Sequence, residues 1–335
     1  LLTASVLTAC GSTTSGDEES ADGKVTVENC DQEAEFPSPA QKIYVNDGNM
    51  TAMLLELGAE DQIVGVSGLE RHREALTTAY GAEVIDALPQ AADQSPTLEN
   101  VIARKPDMML AGWNYGYKLE TDLTPDKLRE HGIAPYVLSE SCRQDDEGAR
   151  GTMPPWDALT EDMTNLGEIT GHEERAAEIV EDTEQRLQAL QDAPQADEPP
   201  TVFLFDSGGK DVMTSGAFGG PQAIIEAAGG RNGAEDVKDT WTRISWERLV
   251  ASEPDYFAFV DYPAQDYEEK LRILRTNPAT KDLEAVKQER FVNLPYAAWT
   301  SSPLNIDAAE QLRKSLEEAE LVPTSDVTPE LDLKP

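Results

Sequence analysis

The chain has 335 residues, 39% of them hydrophobic, which is enough material for two domains with proper cores. Its 64 acidic against 27 basic residues give a formal charge of −37, which argues against nucleic acid or an anionic membrane surface as a partner. Beyond the N-terminal run, no stretch has the ~18 consecutive apolar residues that a membrane-spanning helix needs.

Residues 1–10, LLTASVLTAC, are the end of an apolar run that closes in Leu7-Thr8-Ala9-Cys10, with Gly11 after it. This resembles the lipobox of bacterial lipoprotein signal peptides, in which the Cys becomes the lipidated first residue of the mature protein. On that reading 1–9 is a signal remnant and Cys10 holds the chain at the outer face of the cell membrane; an ordinary secretory signal is the other reading. The following GSTTSGDEESADG is Ser, Gly and acid without periodicity and buries too little to order itself, so 10–36 is expected to be a lipidated, disordered tether. Disulfides persist outside the cytoplasm, and Cys30 and Cys142 form an even pair expected to bridge. The alternatives, a metal site or a catalytic thiol, find no His near either Cys.

The first lobe, 37–155, opens with a strand at 42–45, a helix at 51–57 closed by Gly58, and a second strand at 63–66. The loop after it, 67–73, holds the densest positive charge of this lobe, with Arg71 and Arg73. Thr97 then caps a short helix with Glu99 in its first turn, where the macrodipole favours an anion, and Pro106-Asp107 ends it before the apolar run 108–111. Trp113, Tyr115 and Tyr117 follow. Thr124-Pro125 starts another helix that Gly132 ends, 136–138 is the last strand, and 143–153 is a polar loop.

Linking helices occupy 156–195, and Thr170 to Gln191 reads as one straight helix. Thr170 and Glu173 have the spacing of a capping box. Ala176, Val180, Thr183, Leu187 and Leu190 form one narrow buried stripe, and Pro194, Pro199 and Pro200 stop the helix. At ~1.5 Å per residue it spans roughly 30 Å, the width of a small domain, so it is expected to be a strut between two lobes. The second lobe, 196–323, restarts with a strand at 202–205 and a Gly-rich segment at 206–220. Ser245 to Asp255 then repeats the pattern of Thr97 to Asp107, with Glu247 in the place of Glu99 and an apolar strand after Pro254-Asp255. A strand at 291–294, a helix at 307–319 and a tail at 324–335 complete the chain. Strands alternating with helices in both halves imply an α/β protein with largely parallel sheets. In such sheets ligands sit beyond the carboxyl ends of the strands.

Several motifs in order, Ile43-Tyr44-Val45-Asn46-Asp47, Met53 to Val66, Lys105-Pro106-Asp107, Leu166-Gly167, Ala227-Ala228-Gly229-Gly230-Arg231-Asn232 and Ala285-Val286-Lys287, resemble the substrate-binding proteins of ABC importers for ferric siderophores, cobalamin and haem. The resemblance covers about 40 to 320. It implies two Rossmann-like lobes with mainly parallel sheets joined by one long helix, the helical-backbone periplasmic binding protein fold, with a shallow cleft. It also implies a monomer that works with an ABC permease dimer and its cytoplasmic ATPase, and places the permease-docking glutamates on Glu99 and Glu247. Otherwise the two are only helix-start acids.

The strand-end loops carry an unusual share of the aromatics, which make up 6% of the chain: Trp113, Tyr115 and Tyr117 in the first lobe, Trp241, Tyr262, Tyr296 and Trp299 in the second. As a set they suit a large flat or chelated ligand held by ring faces and phenol hydroxyls; singly, each is equally a packing residue. Arg71, Arg73, Lys210 and Arg243 offer countercharge to an anionic chelate such as a catecholate or carboxylate siderophore with ferric iron. With three His in the chain a bare metal site is disfavoured, and His72 is the one candidate for a haem axial ligand. Trp113-Asn114-Tyr115 and Asp239-Thr240-Trp241 are also similar to relatives assigned to uptake of deazaflavin-cofactor precursors. The competing class is an extracytoplasmic α/β hydrolase, but Gly65-Val66-Ser67-Gly68 lacks the last glycine of a nucleophile elbow. Ser207-Gly208-Gly209-Lys210 lacks P-loop spacing. The sequence therefore points to a non-catalytic capture protein for a ferric siderophore, with a corrinoid, haem or deazaflavin-type ligand as alternatives, no permanently bound cofactor and no metal site of its own.

Overall fold

Two parallel sheets organise the chain, and in each the first strand lies in the interior. The structure, a computed structural model, describes residues 23–144, 148–261 and 265–333. In the first sheet the order is Gln90–Ala92, Ile63–Ser67, Ile43–Asn46 and Met108–Trp113, and the last of these pairs with both Ala134–Val137 and Gly116–Tyr117. In the second it is Arg231–Asn232, Thr201–Phe205, Tyr256–Asp261 and Phe291–Pro295, all parallel. The central strands are buried along their whole length, as Ile43–Asn46 and Thr201–Phe205 show, because helices cover both faces of such sheets.

The repeated sequence units fold alike. Thr97 and Ser245 each accept a hydrogen bond from the backbone N–H three residues on, capping the helices Leu98–Ala103 and Trp246–Ala251. Both helices end in a left-handed residue, Lys105 at φ 51° and Glu253 at φ 47°. The Asp that follows each Pro then reaches the start of the neighbouring strand. Asp107 accepts from Gln41 N (2.9 Å) and Lys42 N (3.1 Å), and Asp255 from Thr201 N (2.9 Å).

The element that joins the lobes is a helical hairpin. Gly171, at φ 76°, separates Pro155–Thr170 from Glu173–Asp192. The capping box expected at Thr170 and Glu173 is not formed, because Thr170 is the last residue of the first helix and its hydroxyl donates to Leu166 O (2.6 Å). Each helix touches both lobes, in opposite directions. Trp156 Nε1 donates to Ala223 O (3.3 Å) and, at the other end, Thr170 O accepts from Gln62 Nε2 (2.9 Å). On the return, Arg175 pairs with Glu56 (2.7 Å) and Arg186 with Asp307 (2.7 Å) and Glu310 (2.6 Å). The strut is thus doubled, which stiffens the spacing of the lobes more than one helix could. Of its expected stripe Ala176, Thr183 and Leu190 are buried together with Ile179, while Val180 and Leu187 pack half-buried beside them.

Part of the expected tether is ordered. Lys24–Glu28 and Glu33–Pro37 form an antiparallel hairpin whose Phe36 packs on Tyr136 (5.6 Å between rings). Its Asn29 side chain exchanges hydrogen bonds with the Val137 backbone (2.7 and 2.9 Å), and Cys30 is disulfide-bonded to Cys142. These long-range contacts supply what the local sequence lacks. At the other end the tail lies back on the last helix, Asn305–Glu318, with Leu331 N donating to Asp307 (3.2 Å) and Leu333 buried. Cys10 and Tyr262 lie outside the described residues.

Candidate functional site

Beyond the carboxyl ends of the strands a cavity of about 510 Å³ opens between the lobes. The first lobe contributes Arg71, Tyr115 and Arg150; the second contributes Asp206, Trp241, Arg243 and Tyr296. Trp241 and Arg243 stand on an antiparallel ribbon, Ser207–Gly208, Val212–Ser215 and Trp241–Ile244, whose first two strands come from the Gly-rich segment 206–220. Its strands are too short to show an alternating pattern.

Asp47 organises the first-lobe wall. It follows the strand Ile43–Asn46 and adopts φ 73°, ψ 153°, a backbone region that side chains rarely occupy. Its Oδ1 accepts from Gly48 N (3.0 Å) and Arg71 Nε (3.2 Å), and its carboxylate makes short contacts with Arg71 Nη2 and His72 Nε2. Burial works to raise the pKa of this carboxyl; the His72 ring and the Arg71 guanidinium outweigh it and hold the group well below the usual carboxylate range. The next residue must be glycine, since a Cβ on Gly48 would lie 2.2 Å from the His72 side chain. Arg71 is in turn laid over the Tyr296 ring of the second lobe, 4.7 Å from its centroid, and His72 meets the same ring edge-on at 5.0 Å. Trp241 stacks on the same Tyr296, 6.2 Å between ring centroids at 20°.

Arg150 is the residue that sequence reasoning missed. It is 6% exposed; Nη2 donates to Trp241 O (2.9 Å) and Nη1 to Trp113 O (3.4 Å), and the guanidinium lies 5.7 Å from the Tyr115 ring centroid. In sequence it is one basic residue in a polar loop, and its burial depends on partners about a hundred positions away. Burial raises the pKa of the Tyr115 and Tyr296 phenols, so both stay protonated and able to donate. Below the cavity Glu140 is buried, accepts from Ser301 N of the other lobe (3.2 Å) and is pushed by burial up to about 7.

A family model described as periplasmic binding protein matches residues 43–298. The chain belongs to that family. It is 22% identical over 329 residues to an uncharacterised ABC transporter substrate-binding lipoprotein of Bacillus subtilis, YvrC, covering 94% of each chain. To a vitamin B12-binding protein of Yersinia pseudotuberculosis it is 24% identical over 215 residues, 64% of this chain and 68% of that one. Among solved structures, an ABC-type Fe3+-hydroxamate transport system protein of Saccharomonospora viridis superposes with a TM-score of 0.72 at 21% identity, covering 87% of this chain and 98% of that one. The fold is therefore the two-lobed one that the sequence motifs imply.

In this periplasmic binding protein the residues singled out in the sequence divide. Arg71, Tyr115, Trp241, Arg243 and Tyr296 line the cavity. Arg73 does not: it is held on the outside by Glu70 (3.3 Å) and Asp86 (2.9 Å). Tyr117 is fully buried, with its hydroxyl between Met109 O (3.0 Å) and Tyr136 O (3.1 Å), and Trp299 is fully buried with Nε1 donating to Phe259 O (3.0 Å); both pack their lobes. Trp113 lies at the rim under the Arg143 guanidinium (3.6 Å) and does not line the cavity, and Lys210 is exposed at a turn. His72 has Nε2 engaged by Asp47 and its side chain fully closed off from solvent, which puts the ring out of reach of a haem iron. Ser67, the would-be nucleophile, is buried and donates to Asn46 Oδ1 (3.0 Å). Glu99 and Glu247 are exposed in their first helical turns, where their own backbone N–H and the Thr97 or Ser245 hydroxyl lower the carboxyl pKa.

Proposed function

We propose that the chain is the extracytoplasmic solute-binding subunit of an ABC importer, lipid-anchored through Cys10, and that its cargo is an anionic ferric siderophore chelate. One observation carries the ligand: guanidinium groups from both lobes, Arg71 and Arg150 facing Arg243, meet around aromatic walls in one cavity. A ferric catecholate presents delocalised negative charge on flat rings, and both features match stacked aromatics and forked cationic donors. The importer role is supported by family membership, and delivery by Glu99 and Glu247, two exposed anions held at fixed separation by a doubled strut and suited to a basic permease surface.

Titration of the purified protein with ferric tris-catecholate, ferrichrome, cyanocobalamin and haemin, read by tryptophan quenching, tests this. The anionic ferric catecholate is expected to bind tightest. Preference for cyanocobalamin would replace the siderophore by a corrinoid, and preference for haemin by a porphyrin. In cells, Glu99→Ala with Glu247→Ala is expected to abolish uptake while affinity stays unchanged; retained uptake would remove both from docking.

A further inference from the structure

Arg150 reaches the cavity on a support of its own. The segments 142–144 and 148–151 run antiparallel as a short arm, with Gln144 N donating to Ala149 O (2.9 Å), Gly151 N to Cys142 O (2.8 Å) and a bridge between Arg143 and Arg150. The root of the arm is fixed to the first lobe by the Cys30–Cys142 disulfide. Its far side lies on the second lobe: Arg150 N donates to Asp239 Oδ1 (3.1 Å) and Gln144 Nε2 to Lys238 O (3.2 Å). The arm therefore carries a first-lobe cation across the cleft.

Among the described residues no carboxylate accepts a hydrogen bond from this guanidinium; its charge is countered only at a distance, by Asp239 and by the buried Glu140. Asp239 is 3.7 Å from Arg150 Nε, too far for a hydrogen bond, and its Oδ1 is already taken by the backbone N–H groups of Arg150 and Thr240 (2.7 Å). Among the described residues the two terminal nitrogens donate only to neutral carbonyls, and Nε, buried, has no hydrogen-bond partner. Tyr115 Oη and Trp241 Nε1, on either side, are likewise buried without partners. A buried cation flanked by unsatisfied donors is costly to keep unless something fills the gap, and what fits a set rich in donors is an oxyanion.

We propose that Arg150 is the specificity-determining residue of the cavity, an anion contact that the disulfide-anchored arm delivers from the first lobe onto the second. This rests on the reading of the cavity as the cargo site and adds which group selects for charge. Arg71 cannot play that part alone, because Asp47 already takes its guanidinium.

The test compares wild type, Arg150→Ala and Arg150→Lys in titrations with ferric tris-catecholate, which is anionic, ferrichrome, which is uncharged, and haemin, whose propionates are anionic. Arg150→Ala is expected to weaken the anionic probes by at least tenfold and ferrichrome by less than twofold. Lys, which keeps the charge but loses the fork, is expected between the two. Cys30→Ser with Cys142→Ser is expected to weaken the same probes and to add little to Arg150→Ala, since both act through one arm. Equal losses for charged and uncharged probes, or no loss for any, would overturn the proposal. A wild type that takes haemin but neither ferric tris-catecholate nor ferrichrome sinks the siderophore reading while the Arg150 effect is still read from haemin; a wild type that binds none of the probes overturns both.

Discussion

Among the described residues two cavities of nearly equal size lie between the lobes, and their charges are opposite. The front one, about 510 Å³, is lined by three arginines and two carboxylates; the rear one, about 480 Å³ and walled by the strut and the last helix, by two arginines and five carboxylates. At the rear every arginine is committed to carboxylates: Arg186 to Asp307 and Glu310, with Asp182 and Glu330 at 3.7 Å, and Arg175 to Glu56 and Glu178. At the front Arg150 donates to carbonyls, with Asp239 at 3.7 Å as its nearest carboxylate contact and none hydrogen-bonded to it, and Arg243 makes no ion pair, among the described residues. In a chain of net charge −37 such a reserve of cation runs against the whole surface. Size does not mark the site; unspent charge of the minority sign does.

The largest effect is expected at the rear, and on stability alone. Among the described residues Arg186 is the only arginine that reaches both Asp307 and Glu310, whose side chains are 5% and 6% exposed. Arg186→Ala strands two buried carboxylates and is expected to cost about 3–5 kcal/mol in urea unfolding, with affinity at the front changed by less than about twofold. A parallel loss of affinity would mean that the rear clamp sets the cleft and would break the contrast.

Glu140 sharpens the comparison, because no cation donates a hydrogen bond to this buried acid: Oε2 takes a backbone N–H, Oε1 has no partner among the described residues, and the charge of Arg150 only partly offsets its burial. Burial raises its pKa from 4.5 to about 7, so folding disfavours its ionised form. The folded state therefore keeps its full share of stability from this group below pH 4.5, loses it as the pH rises through 7, and changes little beyond. Glu140→Gln removes that loss. The variant is expected to match wild type at pH 4.5 and to exceed it by on the order of 2 kcal/mol at pH 8. Since other titrating groups cancel in the difference, unfolding curves of the two proteins across this window decide it. A constant difference with pH would show Glu140 to be solvated or paired.

How much of this was legible in the sequence depended on how local the cause was. The twin units were readable because caps, first-turn acids and Pro-Asp stops act within a dozen residues, and both copies fold as their residues direct. The strut was readable as a helix but not as a hairpin, since Thr170 satisfies the spacing of a cap and the ending of a helix equally well. Of the six described members of the aromatic set, Tyr115, Trp241 and Tyr296 line the cleft because strand ends deliver them there. Tyr117 and Trp299 sit at the same kind of position and turn inward to carbonyls that no pattern announces. Arg150 was illegible, because its place is made by a disulfide root and by Asp239, contacts far away in the chain.

The smallest effect separates those two kinds of aromatic. Trp241 is stacked on Tyr296 at the cavity wall, whereas Trp299 is fully buried with its indole N–H already bonded. Trp241→Ala is expected to weaken an anionic chelate by about 1 kcal/mol, roughly fivefold, as loss of one aromatic contact should. Calorimetry rather than fluorescence must read it, because the substitution removes a reporter ring. Trp299→Phe is expected to leave that affinity alone and to lower stability instead, through the lost hydrogen bond and the volume left empty. Were Trp299→Phe to cost affinity as much as Trp241→Ala, packing behind the wall would govern the cleft as strongly as the groups that line it. The front cavity would then be distinguished from the rear by rigidity and not by unspent charge.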